Sequence, residues 1–123
     1  MKITIPLPPV TKKNSQQILT NAKTGKPFIV PSKQYREYEK NALWVIPTAN
    51  IGYPVNVKCL FYMPTHRKVD LVNLLESVDD VLVKGGCLQD DNSNIIASHD
   101  GSRVLYDKEN PRTEIFIEEC EGG

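Results

Sequence analysis

The sequence is poor in the residues that build disulfide or zinc scaffolds. Cys59, Cys87 and Cys120 are its only cysteines, an odd number with no C-x-x-C spacing, and His66 and His99 fall at no ligand spacing to them. A disulfide framework and a zinc knuckle are therefore not expected. Buried structural thiols in a reducing, cytoplasmic setting are. Long apolar runs are also missing. None approaches the roughly 18 to 20 residues of a membrane span, and the opening MKITIPLPPV is too short and too proline-rich for the apolar stretch of a signal peptide. The adjacent Gly85 and Gly86 do not make a phosphate-cradling loop, so no organic cofactor is expected. With five Tyr, three Phe and one Trp, aromatics are too few to argue a base-stacking platform. No linker, internal repeat or low-complexity tract divides the 123 residues, and one globular domain, 1–123, is expected.

What is present is a divided charge. The 15 Lys and Arg cancel the 15 Asp and Glu, but not locally. Residues 1–68 hold eleven basic and two acidic side chains, a net of +9, and residues 69–123 hold four basic and thirteen acidic, a net of −9. Such asymmetry suggests a polyanion partner for the basic half, although a charged stretch is also an ordinary solvated face.

Hydropathy patterning predicts an opening strand over 2–7, cut off by Pro6, Pro8 and Pro9, then a polar basic loop, TKKNSQQ. QILT and KPFIV read as a hairpin joined by NAKTG. A helix runs from Ser32, its N-cap, to about Ile46, with a stripe of Tyr35, Tyr38, Ala42 and Leu43. Val55–Met63 alternates as a half-buried strand. A second helix opens at Asp70 and runs to about Val83, with Leu71, Leu74, Leu75, Val78, Val81 and Leu82 at helical spacing, and Gly85-Gly86 stops it. Short strands follow at 94–98 and 102–106, and a last one at 113–119. The expected class is α+β: a mainly antiparallel sheet with two helices on one face.

Asp70 and the pair Asp90-Asp91 flank the second helix, whose ends lie about 20 Å apart at 1.5 Å per residue. A segment returning beside the helix would bring Asp91 back near Asp70. Converging carboxylates need a cation, and hard oxygen donors with open water positions suit Mg²⁺ and phosphoryl chemistry. The spacing equally allows a plain N-cap at Asp70 and a plain turn at Asp90-Asp91.

The stretch RKVDLVNLLESVDDVLVKGGCLQDDNSNI, with the opening IPLPPVTKKN, resembles the RusA family of Holliday junction resolvases, whose pattern is R-x-D-x-D-N-L-x-K, a helix, a turn and D-D. The resemblance covers essentially the whole chain. It implies an α+β homodimer, often prophage-encoded, that nicks four-way DNA junctions symmetrically with Mg²⁺ (Mn²⁺ as a substitute), leaving a 5′-phosphate. It implies metal carboxylates at Asp70, position 72 and Asp91, and a catalytic lysine at position 76. Here those positions are Val72 and Glu76. The two lie at i and i+4, on one helix face, so Glu76 is expected to restore the third carboxylate. The candidate metal set is then Asp70, Glu76, Asp90 and Asp91. Asn73 is expected to donate an amide oxygen or orient Asp70. Lys68, Arg67 and Lys84 are the replacements considered for the family lysine. The DNA-contact set is Lys12, Lys13, Asn14, Arg67, Lys68, Asn73 and Lys84, whereas Lys23, Lys26 and Lys40 read as solvated. Phe28 is either a wedge for the junction centre or a sheet cap, Trp44 and Tyr38 are core or dimer contacts, and His99-Asp100 is a turn or a catalytic pair. The alternatives are a junction-binding module without catalysis and a nuclease for other branched DNA.

Overall fold

The computed structural model describes residues 1–12 and 16–121, and for residues 16–18 and 28–31 it describes the backbone alone. The elements run β1 (Lys2–Ile5), β2 (Gln16–Thr20), β3 (Pro27–Pro31), α1 (Lys33–Leu43), β4 (Val55–Met63), α2 (Leu71–Lys84), β5 (Ile96–Ser98), β6 (Arg103–Tyr106) and β7 (Arg112–Glu119). Strands β2 and β3 form a separate antiparallel hairpin in which Gly25, at φ +68°, takes the left-handed turn position.

The main sheet is ordered β1-β7-β4-β5, with β6 also beside β4. The long β4–β7 pairing and β1–β7 are antiparallel, while β5 and β6 run parallel to β4. The sheet is therefore mixed and mostly antiparallel, with two helices, an α+β arrangement. Along β4 every second residue, Val55, Val57, Cys59 and Phe61, is fully buried, and the residues between are half-buried, so one face of the sheet is covered. Tyr35, Tyr38 and Ala42 of α1 and Leu74, Val78, Val81 and Leu82 of α2 join those strand residues in one core.

Local chemistry explains the helix ends. Ser32 Oγ accepts the Tyr35 amide at 3.2 Å, the expected N-cap. Helix α1 stops at Leu43, three residues short of the expected end. Its last turn tightens, with Val45 N donating to Ala42 O and Ile46 N to Leu43 O, and Pro47 excludes continuation. Helix α2 ends where Gly85 N donates to Val81 O and Gly86 adopts φ +79°. No helix among the described residues is long and apolar enough to cross a membrane.

The parallel pairing of β5 and β6 decides where the acidic turn lies. Val55, at the start of β4, pairs with Ile96, and Met63, at its end, pairs with Tyr106. A parallel strand begins at the same end of the sheet as its neighbour, and α2 crosses from the end of β4 back to the start of β5. Asp91, five residues before β5, is therefore left beside the last turns of α2. The expected return toward Asp70 happens only downstream, along β5 and β6, and it is Tyr106 that arrives at the Asp70 end.

Candidate functional site

One face of α2 carries a polar stripe. Asp70, Asn73, Ser77, Asp80 and Lys84 recur at i, i+3, i+7, i+10 and i+14, within an arc of roughly 80° at about 100° per residue. Asp70 occupies the N-cap position in an extended conformation, yet its side chain caps nothing. Instead Asn73, buried, donates from Nδ2 to Asp70 Oδ2 at 3.3 Å. Ser77, also buried, donates to the Asn73 carbonyl at 3.2 Å and accepts the Lys12 amide at 3.1 Å. The exposed Asp70 carboxylate thus stands at a helix N-terminus, where negative charge is favoured, and keeps one oxygen out of that hydrogen bond.

The other end of the stripe is a small cleft of about 210 Å³ lined by Lys12, Glu39, Asp80, Val83, Lys84 and Asp91. Two ion pairs cross it: Lys12 Nζ to Asp80 at 3.4 Å and Lys84 Nζ to Glu39 at 2.7 Å. Asp91 is exposed. Asp90 shapes its turn, accepting the Asp91 amide at 2.7 Å and the Asn92 amide group at 3.1 Å, and these bonds, the Asp91 amide first, hold its carboxyl below the usual carboxylate range. At 1.5 Å per residue about 15 Å of helix separates Asp70 from Asp80, so the structure does not bring Asp70 and Asp91 together. Glu76 projects from the exposed side of α2 between them. Val72 is 72% exposed and stands clear of the core.

The basic segment His66-Arg67-Lys68 is exposed and is separated from Asp70 by Val69 alone. Arg67 and Lys68 line a cleft of about 540 Å³ whose other walls include Pro8, Pro9, Val10, Met63 and Val69. Lys13 and Asn14 lie outside the described residues, and so does the side chain of Phe28. Tyr38 is a core residue, whereas Trp44 is 83% exposed at the end of α1.

Two pairings were invisible in the sequence. His99, read there as a turn residue or half of a pair with Asp100, contacts Asp79 across the sheet–helix boundary, Nε2 to Oδ2 at 3.0 Å, while Nδ1 donates to the Val57 carbonyl at 2.8 Å. His66 and Tyr106, forty positions apart, stack with ring centroids 3.8 Å apart at 26°. The thiols of Cys59 and Cys87 are buried and pushed up by that burial, which removes them as nucleophiles.

Among the described residues no three His, Cys, Asp or Glu side chains converge on one cation position. The carboxylates on α2 and its flanks have the hard oxygens that Mg²⁺ takes, but they suit a cation that keeps most of its waters rather than a closed protein cage.

The family model described as endodeoxyribonuclease RusA matches residues 6–118, a span that includes the whole stripe, both clefts and the acidic turn. The chain belongs to the RusA family. A curated relative, the crossover junction endodeoxyribonuclease RusA of Aquifex aeolicus (strain VF5), is 32% identical over 88 residues, 68% of this chain and 66% of that protein. The match thus spans just under two thirds of that relative. Val72 and Glu76, where the resemblance implies a carboxylate and a lysine, both lie on the solvent side of α2.

Proposed function

We propose that this chain is a divalent-metal-dependent endodeoxyribonuclease that acts as a homodimer on four-way DNA junctions, cutting them by paired symmetric nicks. The observation that carries the reading is Asp70: a carboxylate at the start of α2, relieved of capping, held by Asn73 and preceded, across Val69, by Arg67 and Lys68. Membership of the RusA family supports it. Two matched nicks call for two sites, and a two-fold dimer matches the symmetry of the substrate.

In this reading Asp70 is the carboxylate that would hold Mg²⁺ or Mn²⁺, with Glu76 the next carboxylate along the exposed side of α2. Asp91, beside Asp80 about 15 Å further along the helix, would not share an ion with Asp70 in this arrangement, and Asp90 holds the turn that presents it. A bound ion supplies offset for the charge on the scissile phosphate and a lowered pKa for the attacking water. The chain's own residues do the rest. Asn73 fixes the direction of Asp70. Arg67 and Lys68 take backbone phosphates and so draw an otherwise repelled polyanion to an acidic site. Lys12 and Lys84 offset the charge of Asp80 and Glu39 beside Asp91. Lys13 and Asn14, next in sequence after Lys12, are assigned to DNA contact as well.

The test is junction cleavage with Mg²⁺ and with EDTA, on the wild type and Asp70→Asn. Paired nicks are expected only for the wild type with Mg²⁺, with junction binding retained by Asp70→Asn. A second reading, a junction-binding module without catalysis, is favoured by the separation of Asp70 from Asp91 along α2. Equal binding with and without Mg²⁺, and no nicks in either, would establish it.

A further inference from the structure

We infer that the His66–Tyr106 stack is a landing site for an unpaired nucleobase, set beside Asp70 so that an opened branch point is gripped next to the scissile strand. The inference rests on the junction reading above and names how that site would tell open DNA from a continuous duplex.

The rings come from two elements that meet only in the fold. Tyr106 ends β6, an edge strand, and its register partner is Met63 at the end of β4. His66 lies in the exposed loop that follows β4 and reaches Asp70 four residues later. Their centroids are 3.8 Å apart and their planes differ by 26°. Both residues stay exposed in the stack. Tyr106 remains 44% exposed although it is a large aromatic on a strand. A buried ring would need no further account, but an exposed preassembled stack offers a flat surface to another plane.

The surroundings specify what that plane is. A hollow of about 220 Å³ beside the stack is lined by both rings and by Arg67, Val104 and Met63. Arg67 and Met63 also line the larger cleft of about 540 Å³ that runs on toward Val69 and Lys68. Two aromatic rings, the apolar Val104 and Met63 and a guanidinium around one hollow match a nucleotide: the base takes the ring face and the phosphate takes Arg67. A fully paired helix has its bases stacked on one another and cannot offer a free base plane. A junction centre can. Aromatic stacking tolerates every base, so this contact selects structure rather than sequence.

The experiment uses the full chain in EDTA, where cutting is suppressed. Binding of a fluorescent four-way junction and of a continuous duplex of equal length is measured by anisotropy for wild type, Tyr106→Ala and Tyr106→Phe. Tyr106→Ala is expected to weaken junction binding by roughly 5- to 150-fold, the range base–aromatic stacking spans, and to leave duplex binding within about twofold. Tyr106→Phe keeps the ring and is expected to bind as wild type does. Circular dichroism checks that the edge-strand variants are folded. A Tyr106→Ala protein that binds junctions like wild type, or loses junction and duplex equally, overturns the inference. Cleavage of the same junction in Mg²⁺ is recorded alongside. A wild type that cuts while Tyr106→Ala binds normally leaves the nuclease reading standing and removes the stack. A wild type that never cuts, yet holds junctions through Tyr106, does the reverse. A wild type that binds neither DNA removes both.

Discussion

His99 Nε2 stands 3.0 Å from Asp79 Oδ2, and the opposite nitrogen of the same ring donates to the Val57 carbonyl. A carbonyl only accepts, so Nδ1 carries a proton, and the contact with Asp79 needs a second one between Nε2 and the carboxylate. The hydrogen bond to Asp79 raises the His99 pKa, while burial raises that of Asp79, with Asp91 and Asp80 adding to it. The pair ties the turn after β5 to α2.

Both shifts have the same sign for stability. A raised His99 contributes stability that is fully present below its unfolded value of about 6.5 and is lost as pH rises through its folded value. The raised Asp79 acts the same way in the acid range. Urea midpoints are therefore expected to fall between pH 5.5 and pH 8, and His99→Gln is expected to flatten that fall. An unchanged slope in the variant would assign the pH dependence to other groups.

Glu76 is exposed on α2 and is proposed above as a carboxylate of the metal site. Glu76→Gln is isosteric, so circular dichroism and thermal midpoint are expected to stay as in wild type. Mg²⁺-dependent junction cleavage is expected to drop at least about 100-fold, the scale on which removing one electrostatic contact to a transition state acts. Normal cleavage by this variant would make Glu76 a bystander and the change at position 76 a plain loss of the family lysine.

Arg67 and Lys68 are assigned to phosphates, so their effect is read in salt. Each phosphate contact contributes about 0.9 to the slope of log affinity against log salt. The double variant Arg67→Ala/Lys68→Ala is expected to lower that slope by about 2 for junction and duplex alike. An unchanged slope would place both side chains off the DNA.

Gly86 tests the turn that leads to Asp91. At φ +79° a side chain costs roughly 1 to 2 kcal/mol, and a Cβ there lies 3.2 Å from Thr48 Cγ2. Gly86→Ala is expected to lower unfolding free energy by about that amount or more in urea titration. Gly25→Ala, at φ +68° with nothing within 4 Å of the added Cβ, is expected to cost about 1 kcal/mol.

The fold was legible where one element's periodicity sufficed. The alternation of Val55–Met63, the stripe of α2 and the cap at Ser32 all follow from neighbours in sequence. Asp70 at a helix start was legible for the same reason. The position of Asp91 was not, because it depends on whether β5 runs parallel or antiparallel to β4, and the three residues of β5 carry no signal of direction. The stack of His66 on Tyr106 was equally hidden: its members belong to a loop and an edge strand brought together by that same parallel register. Nine aromatics are too few for a platform when counted, but two suffice when the fold assembles them.

The stripe on α2 lies immediately beside its buried face, with Asp70, Asn73, Ser77, Asp80 and Lys84 flanking Leu74, Val78 and Val81. Inserting or deleting one residue inside this helix would rotate everything beyond it by about 100°, carrying charges into the core and leucines into the cleft. A single-residue change in length between 71 and 84 is therefore expected to break the packing of this helix. Such a change is tolerated in turns such as 21–26, whose residues are all exposed.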